Sequence, residues 1–144
     1  MWTFLGNLYP LRAVRTVHAH CDIPCGIYDP EQARIEAESC LNIIQKYHDS
    51  DDELFRDRCN FIKEERAELA KNHISVLWTD WYKPEKMGAE MHQVFKQAVV
   101  CCSSVKRSND EGNARELLDL VNQIDEFWKK NNGPAETRLA GRPG

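Results

Sequence analysis

Apolar positions recur at helical spacing through most of the chain after residue 30. Ala33, Ala37, Cys40, Ile44 and Tyr47 follow one another at alternating steps of four and three, the seam of an amphipathic helix. Asp29-Pro30 stands just before it, an N-cap acceptor followed by proline at the first helical position. The polar run HDSDD, residues 48–52, ends this helix and caps the next. A second and longest helix is predicted over about 53–81, with the seam Phe55, Cys59, Ile62, Arg66, Leu69, His73 and Val76. Two members of that seam are polar, and a guanidinium on a core stripe needs a carboxylate or backbone acceptors. Lys83-Pro84 breaks the pattern.

A third helix is predicted over about 85–104, with Met87, Met91, Val94, Ala98 and Cys101 or Cys102 on one side. SNDEGN, residues 108–113, reads as a turn. A fourth helix over about 113–131 carries Ala114, Leu117, Val121, Ile124 and Trp128. No segment shows strand alternation. Four amphipathic helices with short connections predict an all-α fold, an antiparallel up-and-down four-helix bundle. The organisation is a leader over 1–19, the helical domain over 20–131, and a disordered tail over 132–144, GPAETRLAGRPG from Gly133 onward.

Composition narrows the classes. The 144 residues suffice for one domain with a moderate core, and 42% hydrophobic with 29% charged residues is ordinary for a soluble globular protein. The formal net charge is −4 with no basic block, so nothing points to nucleic acid, and no apolar run is long enough to span a bilayer. Residues 1–19 hold no acidic residue; Arg12 and Arg15 follow the apolar part, the reverse of a secretory signal. The leader therefore reads as a pro-segment, a transit peptide or a plain N-terminal arm. The default compartment is the cytoplasm, with an organelle open if the source is eukaryotic.

Cysteine usage separates two groups. Cys40, Cys59, Cys101 and Cys102 fall within helical patterns and read as small buried hydrophobes or a partly exposed thiol. Cys21 and Cys25 lie in a loop beside His20. A structural zinc site needs a second ligand pair, and Cys101-Cys102, adjacent on a helix, do not face one another. A thioredoxin-like site needs C-x2-C in an α/β setting. A Cys21–Cys25 disulfide remains open. So does a metal hook: His20 and Cys21 are consecutive, Cys25 returns across the Asp22-Ile23-Pro24 turn, and mixed nitrogen and thiolate donors suit Ni(II) or Cu(II).

HCDIPCGIYDP, residues 20–30, is similar to the metal hook of the nickel superoxide dismutase family, whose usual form is H-C-D-L-P-C-G-V-Y-D-P. QARIEAES (32–39) and IKEERAELAKNHISVLWTDW (62–81) resemble that family too, and the likeness runs from His20 to about Trp128. The resemblance implies a superoxide dismutase that converts superoxide to dioxygen and hydrogen peroxide by Ni(II)/Ni(III) cycling. It implies that an endopeptidase cuts between Ala19 and His20. The freed α-amine of His20, the main-chain nitrogen of Cys21 and the thiolates of Cys21 and Cys25 then bind one nickel ion per subunit. The His20 imidazole is an axial ligand in the oxidised state. Tyr28 lies over the open face and limits access to small anions, with Asp22 nearby. Glu36 and Arg66 surround the axial histidine, and the subunits form a homohexamer.

Several residues stand apart from that pattern. Ile23 and Ile27 replace leucine and valine, Trp81-Tyr82 stands where a tyrosine-phenylalanine pair is familiar, and four further cysteines accompany the hook. His73 and His92 read as structural or exposed residues, and His48 as a helix-end cation. Trp78, Trp81 and Trp128 read as core or interface aromatics, Trp81 being a candidate for subunit contacts. Lys83 is a candidate for attracting the anion. The second functional reading is a non-enzymatic bundle that stores or delivers nickel or copper from the same hook.

Overall fold

The computed structural model describes residues 27–132. The hook residues His20, Cys21, Asp22 and Cys25, the leader and the tail from Gly133 lie outside the described residues. Helix α1 spans Glu31–His48 and α2 Glu53–Val76. A π-helical turn, Leu77–Trp81, extends α2, a single turn α3 covers Pro84–Met87, and α4 and α5 span Met91–Arg107 and Glu111–Asn132. Helix α1 packs on α2 and α5, and α4 packs on the same two helices, so the four long helices form a square bundle. Among the described residues there is no strand, as the periodicity predicts.

Local chemistry explains the helix starts. The Asp29 carboxylate accepts the Glu31 amide at 2.8 Å, and the Pro30 carbonyl begins the helical ladder by accepting the Arg34 amide at 3.0 Å. Asp52 caps α2 by accepting the amides of Leu54 and Phe55 at 3.0 and 3.3 Å. In α5 all five predicted seam residues are buried, and Trp128 is fully enclosed. Burying a side chain of that size contributes about 2–3 kcal/mol.

Three expectations change. The buried stripe of α2 is Cys59, Lys63, Ala67, Ala70 and Ile74, continued by Leu77, not the predicted Phe55-to-Val76 seam. Small alanines let α2 approach its neighbours, while Phe55 stays exposed and Ile62, Arg66 and Leu69 sit at the flank. The third predicted helix is broken. Pro84 opens a single turn, Gly88 closes it at φ +85° by donating its amide to the Pro84 carbonyl at 3.0 Å, and α4 starts afresh at Met91. Trp81 is buried within the chain, so it is not an outward contact residue. The exposed large apolar side chains include Leu54 at 74%, Phe61 at 68% and Val100 at 58%.

Candidate metal centre

The predicted site residues divide between described and undescribed parts of the chain. Tyr28, Glu36 and Arg66 are described; His20, Cys21, Asp22 and Cys25 are not. Glu36 is on the second turn of α1 and Arg66 midway along α2. Antiparallel packing brings them together: the Arg66 Nη1 donates to the Glu36 carboxylate at 3.4 and 3.5 Å, long for such a pair. The other terminal nitrogen of Arg66 meets Glu65 at 3.2 Å. The hydrogen bond that Arg66 donates to Glu65, then the charge of Glu36, raises the Arg66 pKa, so the guanidinium stays charged. Glu36 is the more enclosed partner, 14% exposed against 31% for Arg66.

Arg66 Nε is buried and has no hydrogen-bond partner among the described residues. A buried, charged N–H without an acceptor is costly. Together with the loosely held Glu36 carboxylate it leaves one donor and spare acceptor capacity on the face of α1 and α2. Tyr28, half-buried, packs against the hydrophobic core just ahead of α1. These groups fit a segment that brings an imidazole N–H and main-chain carbonyls.

The four described cysteines are free and buried. Burial pushes the thiols of Cys40 and Cys102 up to about 12, helped at Cys40 by the charge of Glu36 and at Cys102 by Cys101. Burial and Glu116 push Cys101 up to about 11. Thiols held protonated are poor ligands and poor nucleophiles. Among the described residues no group of three or more His, Cys, Asp or Glu side chains is placed to hold a metal ion. Within the chain, soft thiolate donors next to a histidine occur in HCDIPC, and that donor set suits nickel.

Comparison with known proteins decides the family. The sequence profile of nickel-containing superoxide dismutase matches residues 15–131, which takes in the hook and every helix of the bundle. The chain belongs to the nickel-containing superoxide dismutase family. A nickel superoxide dismutase of Streptomyces coelicolor is 48% identical over 117 residues, covering 79% of this chain and 89% of that protein. One from Streptomyces seoulensis is 48% identical over 116 residues, covering 78% and 88%. The native crystal structure of a nickel superoxide dismutase superposes with a TM-score of 0.73 at 46% identity, covering 78% of this chain and 98% of that one. A structure with nickel ligation of the oxidised state gives 0.74, also at 46% identity.

Within this family framework the other singled-out residues take plain places. His92 is exposed and its Nδ1 accepts the Trp78 indole N–H at 3.1 Å, while His48 Nε2 lies 2.7 Å from the Asn109 carbonyl oxygen. Lys83 is exposed. Sequence reasoning missed Lys63, a cation on the buried face of α2, because a lysine inside an apolar pattern reads as a solvated interruption. It also missed the Tyr82 hydroxyl, which donates to the Gly88 carbonyl. The Pro84–Gly88 spacing was the available signal for that bend.

Proposed function

We propose that this member of the nickel superoxide dismutase family disproportionates superoxide at a nickel ion held by residues 20–25. The observation that carries the reading is that the matched family span, residues 15–131, contains the whole HCDIPC donor set. The proposed donors are the α-amine and imidazole of His20, the main-chain nitrogen and thiolate of Cys21, and the thiolate of Cys25. Bound nickel supplies one-electron exchange at neutral pH.

The protein's residues do the rest. Cleavage between Ala19 and His20 by an endopeptidase converts an amide nitrogen, a poor donor, into an amine. Glu36 accepts the imidazole N–H of His20 and orients the ring, and Arg66 pairs with Glu36 and holds its carboxylate in place. The Arg66 Nε–H, without a partner among the described residues, donates to an acceptor on the hook. Tyr28 limits the size of what reaches the hook, and Asp22 lies beside it. The homohexamer implied by the resemblance is supported by exposed Leu54, Phe61 and Val100, which an assembly would cover.

Cys21→Ser and Cys25→Ser test the assignment by nickel analysis and superoxide turnover. Both variants are expected to lose nickel and activity while remaining helical. Stoichiometric nickel in either variant would overturn the donor set. A wild-type chain that holds nickel without turnover would point instead to storage or delivery.

A further inference from the structure

Helix α4 begins without a side-chain cap, directly after a connection, residues 83–90, in which Met87 alone is partly buried. Few contacts hold that junction. The His92 amide donates to the Ala89 carbonyl at 3.2 Å. The Tyr82 hydroxyl donates to the Gly88 carbonyl. The Trp78 indole N–H, on the π-helical turn, donates to His92 Nδ1 at 3.1 Å, with ring centroids 5.0 Å apart. Trp78 is anchored on its other side, stacked with Phe95 and packed on the core. His92 is exposed.

The chemistry of the two rings makes the Trp78–His92 bond conditional. An indole nitrogen can only donate, so Nδ1 has to accept and a neutral imidazole carries its proton on Nε2. A protonated imidazole has an N–H on both nitrogens, and a donor then faces a donor. Imidazole is the side chain whose charge ordinarily changes between pH 5 and 8. The charged groups on the elements that meet here are Asp80 on the π-helical turn, Lys83, Glu85, Lys86 and Glu90 on the connection, Lys96 one turn along α4, and Asp125 and Lys129 on α5. Asp80 accepts the Thr79 hydroxyl at 2.8 Å, and Asp125 and Lys129 pair at 2.7 Å. Burial, then the charge of Glu90, raises the Tyr82 phenol above the usual tyrosine range, so the bond to Gly88 does not respond in the same interval.

We propose that the Trp78–His92 bond is a pH-sensitive latch on the start of α4. It is closed with neutral imidazole and released when His92 takes up a proton, which loosens residues 83–92. The latch does not depend on how the hook binds nickel.

The test follows tryptophan emission of the full chain from pH 8 to pH 5, the interval in which imidazole titrates. Amide hydrogen exchange over residues 83–92 is read at both limits and corrected for the intrinsic effect of pH. Wild type is compared with His92→Gln, which does not titrate, and with Trp78→Phe, which removes the donor. Wild type is expected to show a reversible one-proton step in emission and about fivefold faster corrected exchange at the acid limit, as for one lost hydrogen bond. His92→Gln is expected to show neither change. Trp78→Phe is expected to lack the emission step and to exchange fast at both limits. The same step in His92→Gln, or its survival in Trp78→Phe, would overturn the latch. An emission step with unchanged exchange would overturn the release of the connection.

Discussion

The two ends of the bundle are held by different means. At the end closed by the α4–α5 turn, Lys63 Nζ donates to the Ser108 carbonyl at 2.7 Å and to Asn109 Oδ1 at 2.9 Å. Asn109 donates in turn to Asn60 Oδ1 at 2.8 Å, and its carbonyl meets His48 at 2.7 Å. These bonds tie α1, α2 and the α4–α5 turn within the described chain. At the end closed by the π-helical turn the packing is aromatic: Trp81 meets Phe127 edge-on with centroids 6.0 Å apart, Trp78 stacks with Phe95 at 6.4 Å, and Tyr82 sits between Phe95 and Phe127. Midway along α1 and α2 the polar groups are loosely joined, with Arg66 and Glu36 at 3.4 Å and Arg66 Nε unpartnered among the described residues. One end is self-sufficient and gives the fold its fixed geometry. Between the ends, the Glu36–Arg66 pair keeps spare donor and acceptor capacity, which the proposed hook would use.

The largest effect expected from that division is on alkaline stability, because the buried thiols belong to the rigid middle of the bundle. Cys40, Cys101 and Cys102 are pushed up to about 11–12 when folded, while the unfolded chain ionises them near the usual thiol value of about 8.5. Their stabilising contribution is complete below the unfolded value and is lost as pH rises toward the folded value. Each thiol then removes up to about 1.4 kcal/mol per pH unit. Denaturant unfolding from pH 8 to 10.5 should show a steep fall, blunted in a Cys40→Ala, Cys102→Ala double variant. A flat profile would contradict protonated, enclosed thiols.

Lys63→Met tests the far end. It leaves the Ser108 carbonyl and Asn109 unpaired and should cost about 2–3 kcal/mol, with turnover per nickel unchanged. Equal damage to turnover would erase the distinction between the ends. Arg66→Ala does the reverse: turnover should drop about tenfold with a smaller loss of nickel and little change in melting temperature. Unchanged turnover would remove Arg66 from the site. The smallest effect is that of Asp52→Ala, which removes the α2 cap at about 1 kcal/mol and leaves activity per nickel untouched; calorimetry alongside an activity assay checks both.

How legible each part was in the sequence follows the same physics. Helix α5 could be read because large apolar residues mark its seam without competition. Helix α2 was misread by one stripe because Ala67 and Ala70 carry little apolar signal, Lys63 disguises a buried position, and Phe55 advertises an exposed one. The break before α4 was written as Pro84 and Gly88, but the methionine spacing spoke for a continuous helix. The family was legible in HCDIPC, since histidine and two thiols in six residues restrict the metals that fit, while the donor roles of these residues lie outside the described structure. Arg66 was singled out as a polar residue needing a carboxylate, and Glu36 meets it, although at the flank of the core and not within it. The hydrogen bond from Tyr82 to the Gly88 carbonyl joins residues through a bend, and no periodicity encodes such a contact.

The most direct test of the account is nickel content and superoxide turnover measured on two preparations, one beginning at Met1 and one beginning with a free His20 amine. The account predicts stoichiometric nickel and turnover in the trimmed form alone. Equal nickel and equal turnover in the form that keeps its leader would contradict it, because the His20 nitrogen is then an amide and the proposed donor set is incomplete.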